Sequence, residues 1–303
     1  MLYKEQTDDS TVTDQLERTR TGLTSAAVVL AVVLWASSFV AIRAIGESLS
    51  PAPLALLRLG VAAVALTALV LVKGAVRVRL SRRSFLLICA YAVLWLAGYT
   101  VALNAGERHV DAGTAALLVN LAPLLVAFAA GRFLGEGFSR PLVVGSLVAL
   151  SGTVIIATGA SADRDIAGVL LCLLAAGLYA AGVLIQKLSL RDVDGLTAIW
   201  LGCLVATAVL LPWTPQLVSE VAVAPAGAIA AAAYMGVFPT AIGFTAWAYA
   251  LRRMDAGHLT ATTYAVPAVS VLLSWLLLAE IPTVYGLVGG AICLVGVAIS
   301  RRR

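Results

Sequence analysis

Long apolar stretches alternate along the chain with short breaks rich in charge, proline or glycine, and ten such stretches can be counted. They cover residues 25–45, 53–73, 85–105, 112–131, 141–160, 166–186, 196–213, 226–250, 257–279 and 285–300. A bilayer core of roughly 30 Å takes about 20 helical residues to cross. Each stretch therefore predicts one membrane-spanning helix, and the connections are too short to hold a soluble domain. Residues 1–24 are mixed-charge and polar, lack the apolar core of a secretory signal, and are expected to form a mobile cytoplasmic tail.

Composition removes the alternatives. Of 303 residues, 61% are apolar and only 12% charged, against about 25% charged in soluble domains. That excludes a water-soluble enzyme, a disordered or collagen-like chain and a nucleic-acid binder. The net charge of +5 is gathered in short clusters between apolar stretches, so its partner is the lipid bilayer and not nucleic acid. If the N-terminus is cytoplasmic, 17 of the 21 basic residues fall on that side, from Lys4 through the 73–83 cluster to Arg301–Arg303. The other side keeps Arg43, Arg108 and Arg164, and Arg58 lies within the second span. Positive charge concentrates in cytoplasmic loops, so both termini are expected inside an integral plasma (inner) membrane protein. Cys89, Cys172, Cys203 and Cys293 all fall in apolar stretches at irregular spacing, which supports neither a disulfide framework nor a metal site.

The second half repeats the first at an offset of 144 residues. Pro123, Glu136, Gly145 and Gly152 fall on Pro267, Glu280, Gly289 and Gly296; Asp111-Ala112-Gly113 falls on Asp255-Ala256-Gly257. One gap earlier, Gly98-Tyr99-Thr100 meets Gly243-Phe244-Thr245, while Trp35 and Arg43 fall on Tyr179 and Lys187. Five spans per repeat is an odd number, so the halves must cross the membrane in opposite senses. The expected fold is an all-α membrane protein of ten helices built as a 5+5 inverted-topology repeat, with a first repeat over 25–160 and a second over 166–300. The 5+5 pattern, LWASSFVAIR in span one, PAPLALLRLG opening span two and FLGEGFSRPLVVGSLVALSGTVII after span four resemble the EamA-type transporters of the drug/metabolite transporter superfamily. The resemblance covers about residues 25 to 300 and implies a carrier whose substrate lies among amino acids, metabolites, nucleotide sugars and drugs. The related small multidrug exporters carry a glutamate in their first helix, and this chain does not.

All 16 acidic residues map to the tail, to loops or to helix ends, and none to the centre of a span. Glu136 and Glu280 are expected to cap or anchor helix ends, with gating as the alternative. Arg58 either snorkels to the interface or attracts an anionic group of the substrate. Tyr91, Trp95 and Tyr99 recur every four residues, which predicts three rings on one helical face. Tyr234, Phe238 and Trp247 form a less regular set on span eight. Thr260, Thr263, Pro267, Ser270 and Ser274 make a small polar stripe on span nine, suited to close helix packing or to a wet cavity wall. Trp35 with Tyr179, and Asn120 with Tyr264, are repeat-mates that nominate a shared central site, with Ser38 one turn from Trp35. The glycine-rich fifth and tenth spans are expected to pack away from it.

No phosphate loop, nucleophile elbow or zinc motif occurs, so neither an enzymatic activity nor a cofactor is expected. The leading expectation is a secondary transporter of small organic solutes, amino acids or amines foremost, working by alternating access. A membrane-embedded enzyme acting on lipid-like substrates and a non-transporting scaffold are the rivals. One chain is expected to suffice, a homodimer being the alternative. With no carboxylate at mid-membrane, transport is expected to proceed as facilitated diffusion or exchange without ion coupling.

Overall fold

The computed structural model describes residues 2–45, 48–74, 80–109, 115, 118–137, 139–158, 165–278 and 282–302, without the side chains of 2–20, 43 and 44. Among them the chain forms ten apolar helices: α1 (Leu2–Ile45), α2 (Pro51–Val72), α3 (Arg82–Gly106), α4 (Ala122–Leu134), α5 (Arg140–Thr158), α6 (Ile166–Ser189), α7 (Gly195–Val223), α8 (Ala226–Leu251), α9 (Ala256–Leu277) and α10 (Val284–Ser300). Eight are long and apolar enough to cross a membrane, while α4 and α10 are shorter. The expected start of the fourth span at 112 lies outside the described residues. The helix of α1 runs on through the residues expected as a tail; at 44 residues and about 1.5 Å each it is about twice as long as a bilayer core is thick.

The breaks in the apolar pattern supply the caps. Ser81, Asp165, Asp194 and Thr283 each accept a hydrogen bond from a backbone N–H in the first turn of the helix that follows, which satisfies donors that helix geometry leaves free. Pro51 opens α2, where its missing N–H costs nothing. After α4, Gly135 and Gly137 take φ of 72° and 75°, a left-handed conformation open to glycine without strain. Outward, Val64, Phe133 and Leu276 are more than two-thirds exposed, a surface that suits lipid and not water.

Exchanging the halves leaves the packing unchanged. The mates α2 and α7, α4 and α9, and α5 and α10 pack on each other; α1 packs on α8 and α9 as α6 packs on α3 and α4; α2 meets α8 as α7 meets α3. The ends of α4 and α10 and the α6–α7 and α8–α9 turns share one face, the terminal face; residues 48–50 before α2, the end of α3, Asp165 before α6, the α7–α8 turn and Thr283 before α10 share the far face. The closest approach lies between α5 and α10. A Cβ on Gly152 would stand 2.5 Å from the Gly289 carbonyl oxygen, and one on Gly289 would stand 2.5 Å from that of Gly152. Gly145 and Gly296 meet in the same reciprocal way, each Cβ falling 2.6 Å from the other's carbonyl. This is small-residue packing, in which bare backbones make the van der Waals contact that hydrocarbon cannot drive by exclusion.

Substituting Gly152→Val or Gly296→Val should reduce folded protein sharply and lower its thermal midpoint, since overpacking costs about 1–3 kcal/mol or more. Gly177→Ala, with open space around it, should leave both unchanged in size-exclusion and thermal-shift measurements. Equal behaviour of the three variants would show that the α5–α10 crossing does not limit stability.

Candidate functional site

A cavity of about 400 Å³ separates the halves, walled by α1, α2, α3, the residues just before α4, α6, α8 and α9, with one residue each from α5 and α10. Its floor, at mid-depth, is aromatic. Trp35 lies 5.1 Å from Phe244 between ring centres, Trp95 stacks on Tyr179 at 5.2 Å and meets Phe244 edge-on at 5.0 Å, and Tyr99 is 5.6 Å from Tyr179. Gly182 lets Trp95 lie directly on α6, because a Cβ there would overlap the Trp95 side chain.

The helices that carry this floor are locally unwound. Ala92–Tyr99 in α3 and Gly236–Gly243 in α8, which overlap to within one residue in the repeat alignment, both widen into π-type turns, a distortion found often at functional sites. In α8 the cause is Pro239, whose ring removes a backbone donor. The Thr240 hydroxyl donates to the Met235 carbonyl at 2.8 Å, and Trp35 Nε1 donates to the Pro239 carbonyl at 3.2 Å, fixing the indole over the floor. Thr240 in turn accepts from Arg58 Nε at 2.6 Å. The guanidinium is thereby held on the cavity wall, with donors to spare for a ligand. Arg58 thus lines the cavity at the end of a hydrogen-bonded chain that starts at a proline.

The cavity runs from its floor to the far face, where Glu107 and the exposed Thr283 border it. Toward the terminal face it is closed. Ser270, Val271 and Ser274 of α9 line the cavity, whereas their mates Val126, Ala127 and Ala130 of α4 are buried. Ile42, Ile156 and Gly286 line it as well, and their mates Gln186, Ser300 and Leu142 are buried. The two repeats therefore present one set of positions in two states, open on one side and closed on the other. At the closed end Glu136, between two left-handed glycines, accepts from the Gly257 N–H at 3.2 Å and lies 3.9 Å from Lys187 Nζ. Lys187 also donates to the Leu251 carbonyl at 2.7 Å and to that of Met254. Glu136 of the first half is thus tied to α6 and to the α8–α9 turn of the second.

Of the residues nominated from sequence, Trp35, Ser38, Arg58, Trp95, Tyr99, Asn120, Tyr179 and Thr263 line the cavity together. Others do not. Tyr91 leaves the face of Trp95 and Tyr99, because α3 widens just beyond it, and donates to the Ala198 carbonyl against Gly202 of α7. Trp247 backs the floor, 4.8 Å from Trp35. Tyr234 bonds Ser37 at 2.8 Å and stacks on Phe238 on the α8 surface. Tyr264 is buried among Ala127, Leu142, Ala149 and Ala261. Glu136 sits at the closed end and Glu280 lies outside the described residues. In the polar stripe Thr260 is buried, while Thr263, Pro267, Ser270 and Ser274 face the cavity.

Sequence reasoning missed Thr240, Asn104 and above all Glu107, which it assigned to a loop. Its signal was present: Trp95, Tyr99, Leu103 and Glu107 continue one four-residue spacing and all line the cavity. No acidic residue was expected at the centre of a span, and Glu107 reaches the cavity from a helix end. Glu107 follows directly on the last residue of α3 and lines the cavity wall.

The chain is similar to proteins already known. The sequence model of the EamA-like transporter family matches residues 23–158 and again 166–302. A protein of Streptantibioticus cattleyicolor named a probable terminal-alkyne amino-acid exporter is 38% identical over 282 residues, 91% of this chain and 93% of that one. An uncharacterized transporter of Bacillus subtilis, YdfC, is 33% identical over 273 residues, 89% of this chain and 88% of that one. A crystal structure at 21% identity shares the fold with a TM-score of 0.76, covering 92% of this chain and 96% of the other.

The Glu136 contacts generate a test. Replacing Glu136 by Gln removes a charge held at the start of α9, worth about 1 kcal/mol, which shifts an open–closed equilibrium about fivefold. In a cysteine-free background, a cysteine replacing Ala130 should be alkylated about five times faster once Glu136→Gln is added. An unchanged rate would reduce Glu136 to a helix cap.

Proposed function

The chain belongs to the EamA-like transporter family, and from that premise we propose that it exports apolar amino acids by alternating access. The observation that carries this reading is a cavity with one guanidinium, Arg58, beside an aromatic floor. Arg58 suits the α-carboxylate, since a planar fork of donors binds carboxylates in pairs. Trp35, Trp95, Tyr99, Tyr179 and Phe244 suit an apolar or aromatic side chain. Asn120, Thr263 and Ser270 supply neutral hydrogen-bonding groups at no buried-charge cost. The relative named as a probable amino-acid exporter supports the substrate class and direction.

The distribution of basic residues supports a cytoplasmic terminal face in the plasma membrane, which makes this conformation outward-open. A scaffold has no use for a cavity of this volume, which counts against that rival. The expected absence of ion coupling rested on the lack of a carboxylate at mid-membrane; Glu107, at the end of α3, adds a carboxylate to the cavity wall that this expectation did not weigh.

The test is counterflow into sealed proteoliposomes preloaded with unlabelled leucine or phenylalanine. Labelled apolar amino acids should enter, while glutamate, sugars and organic cations should not. Arg58→Gln should lower uptake about 10- to 100-fold at unchanged protein level, as expected for a charge-assisted bond worth about 1.5–3 kcal/mol. Uptake unaffected by that substitution would sink the proposed role of Arg58, and transport confined to cations or sugars would sink the substrate class. A cysteine replacing Thr283 should react with an impermeant reagent from outside intact cells and one replacing Arg252 should not; the reverse would invert the orientation.

A further inference from the structure

Among the described residues lining the cavity, Glu107 is the one acid and Arg58 the one base. They approach from different helices, Arg58 from α2 and Glu107 from the end of α3, and Tyr99 is within electrostatic reach of both. Among the described residues, the other ionisable groups near Glu107 are engaged elsewhere. Cys172 of α6 packs against Gly106. Arg108 turns away to the Leu49 carbonyl at 3.2 Å, and His109 pairs with Asp165 at 2.9 Å. From α9 and the start of α10 the described cavity lining is neutral: Thr263, Ser270, Ser274 and Thr283 with their apolar neighbours. No described cation forms an ion pair with Glu107. Its carboxyl, half-buried at the rim, has a ligand-accessible cavity on one side and packed helix on the other.

We propose that Glu107 is a proton-exchanging substrate site, at which the ammonium group of an outgoing amino acid and a proton from the outer medium compete for one carboxylate. The proposal rests on the amino-acid reading and deepens it. With Glu107 ionised, the zwitterion is held at both poles, carboxylate on Arg58 and ammonium on Glu107. In the outward-open state a proton from water binds the carboxylate, the ammonium loses its counter-charge, and the amino acid leaves with its own protons intact. The carrier returns with the proton on Glu107 and releases it to water on the inner side before the next zwitterion binds. Each cycle moves one zwitterion out, one proton in, and one positive charge inward. Burial supports this role by pushing the Glu107 carboxyl up to about 7, into the range where both forms are populated. Because the group is an acid with a raised value, the ionised, ammonium-binding form is present above that pH and lost below it.

A carboxyl that titrates near 7 is about one-tenth ionised at pH 6 and nine-tenths at pH 8, so amino-acid affinity should rise about tenfold across that interval. The experiment uses the full-length protein in detergent micelles, with leucine as probe. Difference infrared spectra should show a protonated-carboxyl band that titrates near 7 in the wild type and is missing from Glu107→Gln. Adding leucine to weakly buffered wild type near pH 6.5 should release protons; Glu107→Gln should release none and should bind leucine weakly with no pH dependence. Glu107→Asp keeps a carboxyl and should restore release with a shifted midpoint, a rescue that a merely structural role does not give. A wild type with no such band overturns the proposal whatever the substrate. Leucine binding without proton release overturns the exchange. If the band titrates but no amino acid binds, the amino-acid reading fails and the exchange fails with it, while the proton site at Glu107 stands.

Discussion

Hydrocarbon offers no partner to a free hydrogen-bonding group, and this one constraint organises the protein. Every described segment inside the bilayer is helical because a helix satisfies its own backbone. Where α8 departs from that rule at Pro239, side chains take over: Thr240 bonds the Met235 carbonyl, and Trp35 bonds that of Pro239. Those repairs build the site. They fix the indole over the cavity and, through Thr240, hold Arg58 where a substrate carboxylate can meet it. A defect in one helix thus becomes the means of placing a cation in a membrane, where an unanchored charge is expensive.

The duplicated sequence places equivalent positions in two different environments. Ten helices from two antiparallel copies pack in a pattern that survives exchange of the halves, yet Ser270, Val271 and Ser274 line a cavity while Val126, Ala127 and Ala130 are buried. The sequence accepts both environments at equivalent positions, because small and weakly polar side chains tolerate either water or a helix neighbour. The glycine contacts of α5 and α10 join the halves at the edge of the cavity, where backbone meets backbone with no side chain to rearrange.

The ten spans, the inverted repeat and the pairing of Trp35 with Tyr179 were legible because they rest on features that do not depend on side-chain direction: apolar length, charge asymmetry and a fixed offset. The rest of the site depended on direction. Four-residue spacing placed Tyr91 beside Trp95 and Tyr99, but the widened turn of α3 begins just after Tyr91 and swings it toward α7. Tyr264, mate of Asn120, faces the closed half, because repeat symmetry relates positions and not conformational states. Glu107 was lost for the opposite reason: a residue beyond the end of a span was assigned to the loop, although it lines the cavity wall.

The asymmetry between Asn120 and Tyr264 also bears on speed. Asn120 borders the cavity, where water can satisfy its amide, while the hydroxyl of Tyr264 is buried with no hydrogen-bond partner among the described residues. An unmet buried group of this kind raises the energy of its conformation by about 1–3 kcal/mol relative to one in which water reaches it. A carrier can turn over no faster than it escapes its deepest well, and the unmet hydroxyl makes this well shallower. The same small debt that lowers the stability of one resting state shortens the time the molecule spends trapped in it.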